Sequence, residues 1–310
     1  MKRVLVTLFV LSSFAAGCSS TAPVQTPAGP KPTAEAGGGG SVDGGPDAED
    51  GGPSPERDVN VPDTAPVDMC KKMDIVFVVD DSGSMSAAQA KLGANFPRMV
   101  GALNAFRTKS NSELDYRLAV TSTDTFRTDF ATGGKGGFVT QAACQTGPTR
   151  PWLERTDSDV ADAFSCRARI GTSGSATEKP LDALLLSITE RTADQNRGFL
   201  RDDALLAFVI LTDEEDSSTA TPTQLIRRLD DLKKTRGRWA GSVIAGPKDT
   251  NCTSGAHTAY QAPRLHALVE GAADMATGQN NMIASSICQP DFDVAIDDAL
   301  KTFTAACLRL

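Results

Sequence analysis

The stretch DIVFVVDDSGSM (residues 74–85) joins an almost unbroken apolar run to a turn rich in short oxygen-bearing side chains. An apolar run of strand length, bounded by turn residues and carrying no alternation, reads as a strand buried on both faces, which is how parallel strands look. Gly83 lets the chain turn tightly before a helix that the pattern predicts to begin near Ser86. Asp80, Ser82 and Ser84 alternate through that turn. Their spacing lets three oxygen donors converge from one loop, and hard oxygens suit Mg²⁺ or Ca²⁺ rather than a soft metal.

Working outward, LLAFVIL (205–211) and SVIA (242–245) repeat the buried-strand pattern, and YRLAVT (116–121) is a less pure version of it. Helical periodicity fills the intervals at 87–106, 178–191, 223–235, 262–276 and 291–308. Strands alternating with helices predict an α/β fold, a doubly wound and mostly parallel sheet with helices on both faces. In such sheets ligands bind beyond the carboxyl ends of the strands, where the strand order reverses. Asp213, Glu214, Glu215 and Asp216 follow the second apolar strand at the same strand-end position as Asp80, so the two acidic loops are expected to meet. Residues 128–170 fit this alternation poorly. They hold GGKGG at 133–137 and two cysteines, and read as an elaborated surface loop stapled internally, with a short helix at 160–168.

The run DIVFVVDDSGSM resembles the opening of a von Willebrand factor type A (vWA) domain, whose metal-ion-dependent adhesion site (MIDAS) carries the pattern D-x-S-x-S. The resemblance covers residues 70–310 and implies a Rossmann-like sheet of order 3-2-1-4-5-6. It implies Asp80, Ser82 and Ser84 as metal residues, and Asp213 from the LTD that closes the later apolar strand. The family's remaining ligand is a threonine from an intermediate loop, matched in position by GTSGSATEKPL (171–181). Placing Leu181 on the family's apolar helix position puts Ser175 at the ligand site, with Thr172 and Thr177 as alternates. The implied cofactor is Mg²⁺, or else Mn²⁺ or Ca²⁺, and the implied partner is a protein offering an acidic side chain.

Other motifs carry less. GTSGS lacks the second glycine of G-x-S-x-G, and GGKGG is no phosphate-binding loop because G-x-x-x-x-G-K-[ST] is absent. His257 and His266, the chain's two histidines, read as surface or packing residues, Trp152 and Trp239 as packing residues, and 214–216 as a solvated acidic loop. With 31 Lys+Arg against 39 Asp+Glu there is no basic surplus to neutralise phosphates, which argues against nucleic acid as a partner.

The N-terminus reads as an address. Lys2 and Arg3 precede a mostly apolar run at 4–14, then Ala15, Ala16 and Gly17 stand before Cys18. This resembles the lipobox of bacterial lipoproteins, which implies a signal peptide at 1–17, lipidation of Cys18 and a membrane anchor at the outer membrane or cell surface. Residues 19–68 hold nine Gly and nine Pro and no Leu, Ile, Phe, Trp or Tyr. Such a segment cannot bury a core and reads, within 18–69, as an acidic linker spanning about 40 Å.

Six further cysteines, with no C-x-x-C among them, fit disulfides of an oxidising compartment. Of the fifteen possible pairings, the preferred set is Cys70–Cys307, which brackets the domain, with Cys144–Cys166 and Cys252–Cys288. The functional expectation is a cell-envelope lipoprotein that binds a protein through a divalent cation, in adhesion or complex assembly, and is not an enzyme. The alternative is a structural envelope lipoprotein, or a metal-dependent hydrolase in which the cation is structural or catalytic. If Cys18 carries the anchor, Cys18→Ala releases the protein from the membrane fraction or stalls its processing, as fractionation would read; unchanged membrane association would exclude the anchor.

Overall fold

β1 (Lys72–Val79) is buried along seven of its eight residues because it lies in the middle of a sheet, with β2 (Asp115–Ser122) and β4 (Leu205–Leu211) hydrogen-bonded on either side. A computed structural model describes residues 70–310 except 141–143, 145, 256 and 276. The residues read above as a signal segment (1–17), a lipidated Cys18 and a linker lie outside the described residues.

The remaining strands are β3 (Leu153–Glu154), β5 (Trp239–Ala245) and β8 (Met282–Ser286), with a separate hairpin of β6 (Cys252–Ser254) and β7 (His257–Ala259). The main sheet runs β3-β2-β1-β4-β5-β8, all parallel except β3, which is antiparallel to β2. The fold is therefore the doubly wound α/β sheet expected of a vWA or Rossmann-like chain. Its sixth position is filled by β8 because the hairpin intervenes in the count.

Successive residues of β1 serve opposite faces. Ile75, Phe77 and Val79 point to a core built with α1 (Ser86–Ala105), α2 (Val160–Arg167) and α6 (Asp293–Arg309). Val76 and Val78 point to a second core, with α3 (Pro180–Ile188), α4 (Pro222–Lys233) and α5 (Pro263–Gly271). Phe77 meets Phe96 edge-on at 5.5 Å and Phe164 at 4.9 Å, the edge-to-face geometry that aromatic rings favour. Pro97 sits inside α1 and has no N–H to donate one turn back. The Gly93 carbonyl accepts instead from Ser165 Oγ of α2, at 3.0 Å, so the defect becomes a helix–helix contact.

Disulfides join Cys70 to Cys307, Cys144 to Cys166 and Cys252 to Cys288. The first ties the start of β1 to the end of α6; the third ties the β6–β7 hairpin to the turn after β8. The segment 128–170 is more than a surface loop. Phe138 is 1% exposed and stacks edge-on against Phe199, and Gly136 lies so close to the α3 backbone that a side chain there would collide with Leu186 and Ser187. The glycines of GGKGG are there for close packing, a role that resembles flexible loop composition in sequence.

Among the described residues no helix is long and apolar enough to cross a membrane. Phe77→Ala removes the ring shared by α1, α2 and the sheet and should lower stability by about 3–5 kcal/mol, seen as a lower urea midpoint with an unchanged slope.

Candidate metal centre

Because Val79 pairs with both Ser122 and Leu211, the three central strands end level, and Asp80, Thr123 and Thr212 leave the sheet together. Asp80 is fully buried. Its Oδ1 accepts from the Ser82 amide at 2.7 Å and its Oδ2 from Thr212 Oγ1 at 2.6 Å. The first bond closes the turn that carries the two serines and sets Ser82 Oγ 3.2 Å from Ser84 Oγ. Ser82 is buried and Ser84 is exposed, so the pair lies at the mouth of the site.

Gln89, one turn into α1, donates through Nε2 to the carbonyls of Asp80 at 2.8 Å and Gly171 at 2.7 Å, clamping the serine turn to the 171–177 loop. Gly174 N donates to the Asp81 carbonyl at 2.7 Å, and a Cβ on Gly174 would lie 2.2 Å from Asp81 Oδ1, so a side chain there would have to displace the Asp81 carboxylate. The next residue, Ser175, is half-buried. Asp124 Oδ2 holds its amide at 3.1 Å, and its Oγ accepts from the Thr177 amide at 3.0 Å. Thr172 and Thr177 are exposed. Gln89, Asp124 and Gly174 were not singled out in the sequence, since each acts through backbone groups that no motif records.

Asp213 is 1% exposed, and its Oδ1 has no hydrogen-bond partner among the described residues. Its Oδ2 lies 3.5 Å from Nε2 of His257, which the β6–β7 hairpin brings to the site. His257 is thus a neighbour of Asp213 and not merely the surface or packing residue that the sequence suggests. His266 Nε2 meets the Gly246 carbonyl at 3.0 Å, a packing contact.

The reading of 214–216 as a solvated loop is corrected. Asp216 is 2% exposed, forms an ion pair with Arg264 at 2.8 Å and accepts the Leu181 amide at the start of α3. Glu215 Oε2 accepts from the Arg264 amide at 3.0 Å. The charge pattern in sequence gave no sign of Arg264, which lies in α5.

Glu178 was missed as well. It is 1% exposed, its Oε2 accepts from Thr123 Oγ1, and its Oε1 has no partner among the described residues. Burial, reinforced by Asp80, pushes its pKa up to about 9, so Glu178 stands neutral near pH 7. Burial raises Asp81 to about 6 against the pull of Arg127, whose Nη2 is 2.9 Å from Asp81 Oδ2. Burial also raises Asp80, and neighbouring Asp213 adds to the shift. Glu214 is raised by burial and by the charges of Asp213 and Asp80.

These residues fit a hard divalent cation. Ser82 Oγ and Ser84 Oγ, 3.2 Å apart, are close to the separation of about 3 Å between neighbouring ligands of an octahedral cation with bonds near 2.1 Å. Buried carboxylates facing one another also call for an opposing charge. Among the described residues no three His, Cys, Asp or Glu side chains are arranged to share a metal.

Fold and site together define a doubly wound α/β domain with an acidic, hydroxyl-lined centre at the carboxyl ends of its middle strands. No protein-family model and no curated protein matches the chain. Among solved structures, proximal thread matrix protein 1 from the mussel byssus, in a form with a zinc-occupied MIDAS motif, is 14% identical with a TM-score of 0.42, covering 78% of this chain and 47% of that one. Manganese-loaded TRAP protein of Plasmodium vivax is 12% identical with a TM-score of 0.38, covering 77% and 74%. The pilus adhesin SpaC of Lactobacillus rhamnosus GG is 13% identical with a TM-score of 0.37, covering 76% and 30%. The chain spans about half the length of the mussel protein.

Glu178 yields a pH prediction. Its folded pKa lies above the unfolded value of 4.5, so the folded chain holds a proton that the unfolded chain loses, and stability falls as pH rises from 4.5 toward about 9. Glu178→Gln keeps the neutral shape and should flatten that decline. In EDTA its urea midpoint should rise above that of the native chain progressively across this window; parallel curves for the two proteins would contradict the assignment.

Proposed function

We propose that this chain is an exported, lipid-anchored envelope protein whose α/β domain grips a protein partner through a divalent cation, with Mg²⁺ or Mn²⁺ the first ions to test. The observation that carries the reading is the pair of serine hydroxyls 3.2 Å apart, held by a buried Asp80 at the level where Asp213 leaves its buried Oδ1 without a partner among the described residues. Ser82, Ser84 and Ser175 would hold the ion by their hydroxyls, while Asp80 and Asp213 act on it directly or through water. The bound ion supplies a Lewis-acidic position for an anionic oxygen from outside.

The chain's own residues favour an external anion. Hydroxyl ligands add no negative charge, and Asp81 is opposed by Arg127. An aspartate or glutamate of a partner complements that site. A binding role is supported by the part of the polar shell that holds loops in place: Asp80 bonded to Ser82 and Thr212, Asp124 to Ser175, Gln89 to two carbonyls. Three disulfides support an oxidising compartment. The lipobox-like Gly17-Cys18 and the acidic linker support a domain standing off a membrane, in adhesion or in assembly of an envelope complex.

Affinity capture from the native envelope in Mg²⁺ should recover an acidic-surfaced partner that EDTA releases without unfolding the domain. Ser82→Ala and Asp213→Ala should each abolish capture. A partner held equally well by the Ser82→Ala/Asp213→Ala double variant in EDTA would overturn the cation-dependent mechanism.

A further inference from the structure

Two loops that meet at the metal centre each present a buried polar atom without a hydrogen bond among the described residues: Asp213 Oδ1 after β4, and His257 Nε2 on β7. The imidazole nitrogen stands 3.5 Å from the other carboxylate oxygen, Oδ2, without hydrogen-bond alignment. That separation is within about half an ångström of the spacing of about 3 Å between neighbouring ligands of a six-coordinate ion with bonds near 2.1 Å, the geometry that the serine pair also fits.

The hairpin is held firmly where it is. Cys252–Cys288 ties it to the turn after β8, and Tyr260 N donates to the Asp213 carbonyl at 2.8 Å. Lys91 of α1 reaches Ser254 Oγ at 3.3 Å and the Gln289 carbonyl at 2.8 Å. Gly246 lets the Tyr260 carbonyl pass so close that a Cβ there would overlap it at 1.7 Å. Covalent and hydrogen-bonded ties from three directions therefore fix His257 against Asp213.

We infer that His257 is a nitrogen ligand of the cation site, and that the site consequently selects zinc-like cations over Mg²⁺ and Ca²⁺. The inference rests on the cation site proposed above. Imidazole nitrogen is a good donor to Zn²⁺, Co²⁺ and Cu²⁺ and a poor one to Mg²⁺ and Ca²⁺, which prefer oxygen throughout. A neutral imidazole adds no charge, so the ion keeps its appetite for an anionic oxygen. One ion between them would take the imidazole lone pair and oppose the charge of the Asp213 carboxylate, whose Oδ2 lies 3.5 Å from Nε2.

The test uses the full chain stripped of metal by chelator, with Zn²⁺ and Mg²⁺ titrated calorimetrically into the native protein, His257→Gln, His266→Gln and Ser82→Ala. Zn²⁺ should bind the native chain more tightly than Mg²⁺. His257→Gln should weaken Zn²⁺ on the order of tenfold to a hundredfold while changing Mg²⁺ by no more than about twofold. His266→Gln should match the native protein, and Ser82→Ala should weaken both ions. Because the chain has two histidines, electron spin-echo spectra of bound Cu²⁺ give an independent readout. Imidazole nitrogen modulation should be present in the native chain and His266→Gln and absent in His257→Gln.

Zn²⁺ affinity or nitrogen modulation that survives His257→Gln overturns the inference. Equal loss of Zn²⁺ and Mg²⁺ in that variant also overturns it, because His257 then only positions Asp213. In both cases loss of the two ions in Ser82→Ala leaves the cation site itself standing. Absence of any metal binding to the native chain removes site and inference together.

Discussion

The pairing of β1 with β4 is the constraint on which the site depends. Parallel strands side by side must end on the same edge of the sheet, and the register that sets Val79 against Leu211 fixes how far each strand reaches. Asp80 and Thr212 are the next residues on the two strands, and their 2.6 Å hydrogen bond joins the loops at their roots. A shift of one residue in either strand would turn its apolar side chains to the other core and Asp80 away from Thr212. The two hydrophobic cores therefore enforce the position of the polar centre.

Above that root, the loops are held by groups that make no direct claim on a ligand. Gln89 spans two carbonyls from α1, Asp124 takes the Ser175 amide from the end of β2, and Gly174 lies on Asp81. The three anchors, Gln89, Asp124 and Asp81, come from different segments, so the 171–177 loop is fixed from three sides before any ion arrives. A site assembled this way has less ordering left to do on binding, and rigid supports of this kind are what hold donor atoms at useful spacings.

How much of this was legible in the sequence follows from which forces leave a local pattern. β1 and β4 announce themselves because a strand buried on both faces is apolar throughout, and 205–211 matches its strand without change. β8 was not foreseen: it lies at the sheet edge, reads MIASS, and only Met282 is buried. The β6–β7 hairpin, three residues a strand, has no hydrophobic signature at all. The D-x-S-x-S spacing points to a local turn, and the turn is there. Glu178, Gln89 and His257 come to the centre through tertiary packing, which no spacing along the chain encodes. The acidic run at 214–216 misled for the same reason, since its counter-charge, Arg264, is 48 residues from Asp216.

The two ends of β1 show what distinguishes a structural charge from a functional one. Asp74 and Asp80 are both fully buried, six residues apart, one near the start of β1 and one just past its end. At the amino end Asp74 is answered from within the protein: Arg201 donates to Oδ1 through Nε at 2.8 Å and to Oδ2 through its amide at 2.7 Å. At the carboxyl end Asp80 receives one hydroxyl and one amide, and the carboxyls nearby are Asp213, Asp81 and Glu178. Among the described residues Arg127 pairs with Asp81 and Asp124, not with Asp80. Burying acidic groups together without enough positive charge is costly in any fold, and nothing in the sheet's architecture requires it, as Asp74 demonstrates. The cost is concentrated where the strands end and the serine hydroxyls face outward. A positive charge supplied from outside would remove it, and the hydroxyls would then be placed to hold that charge in reach of a partner.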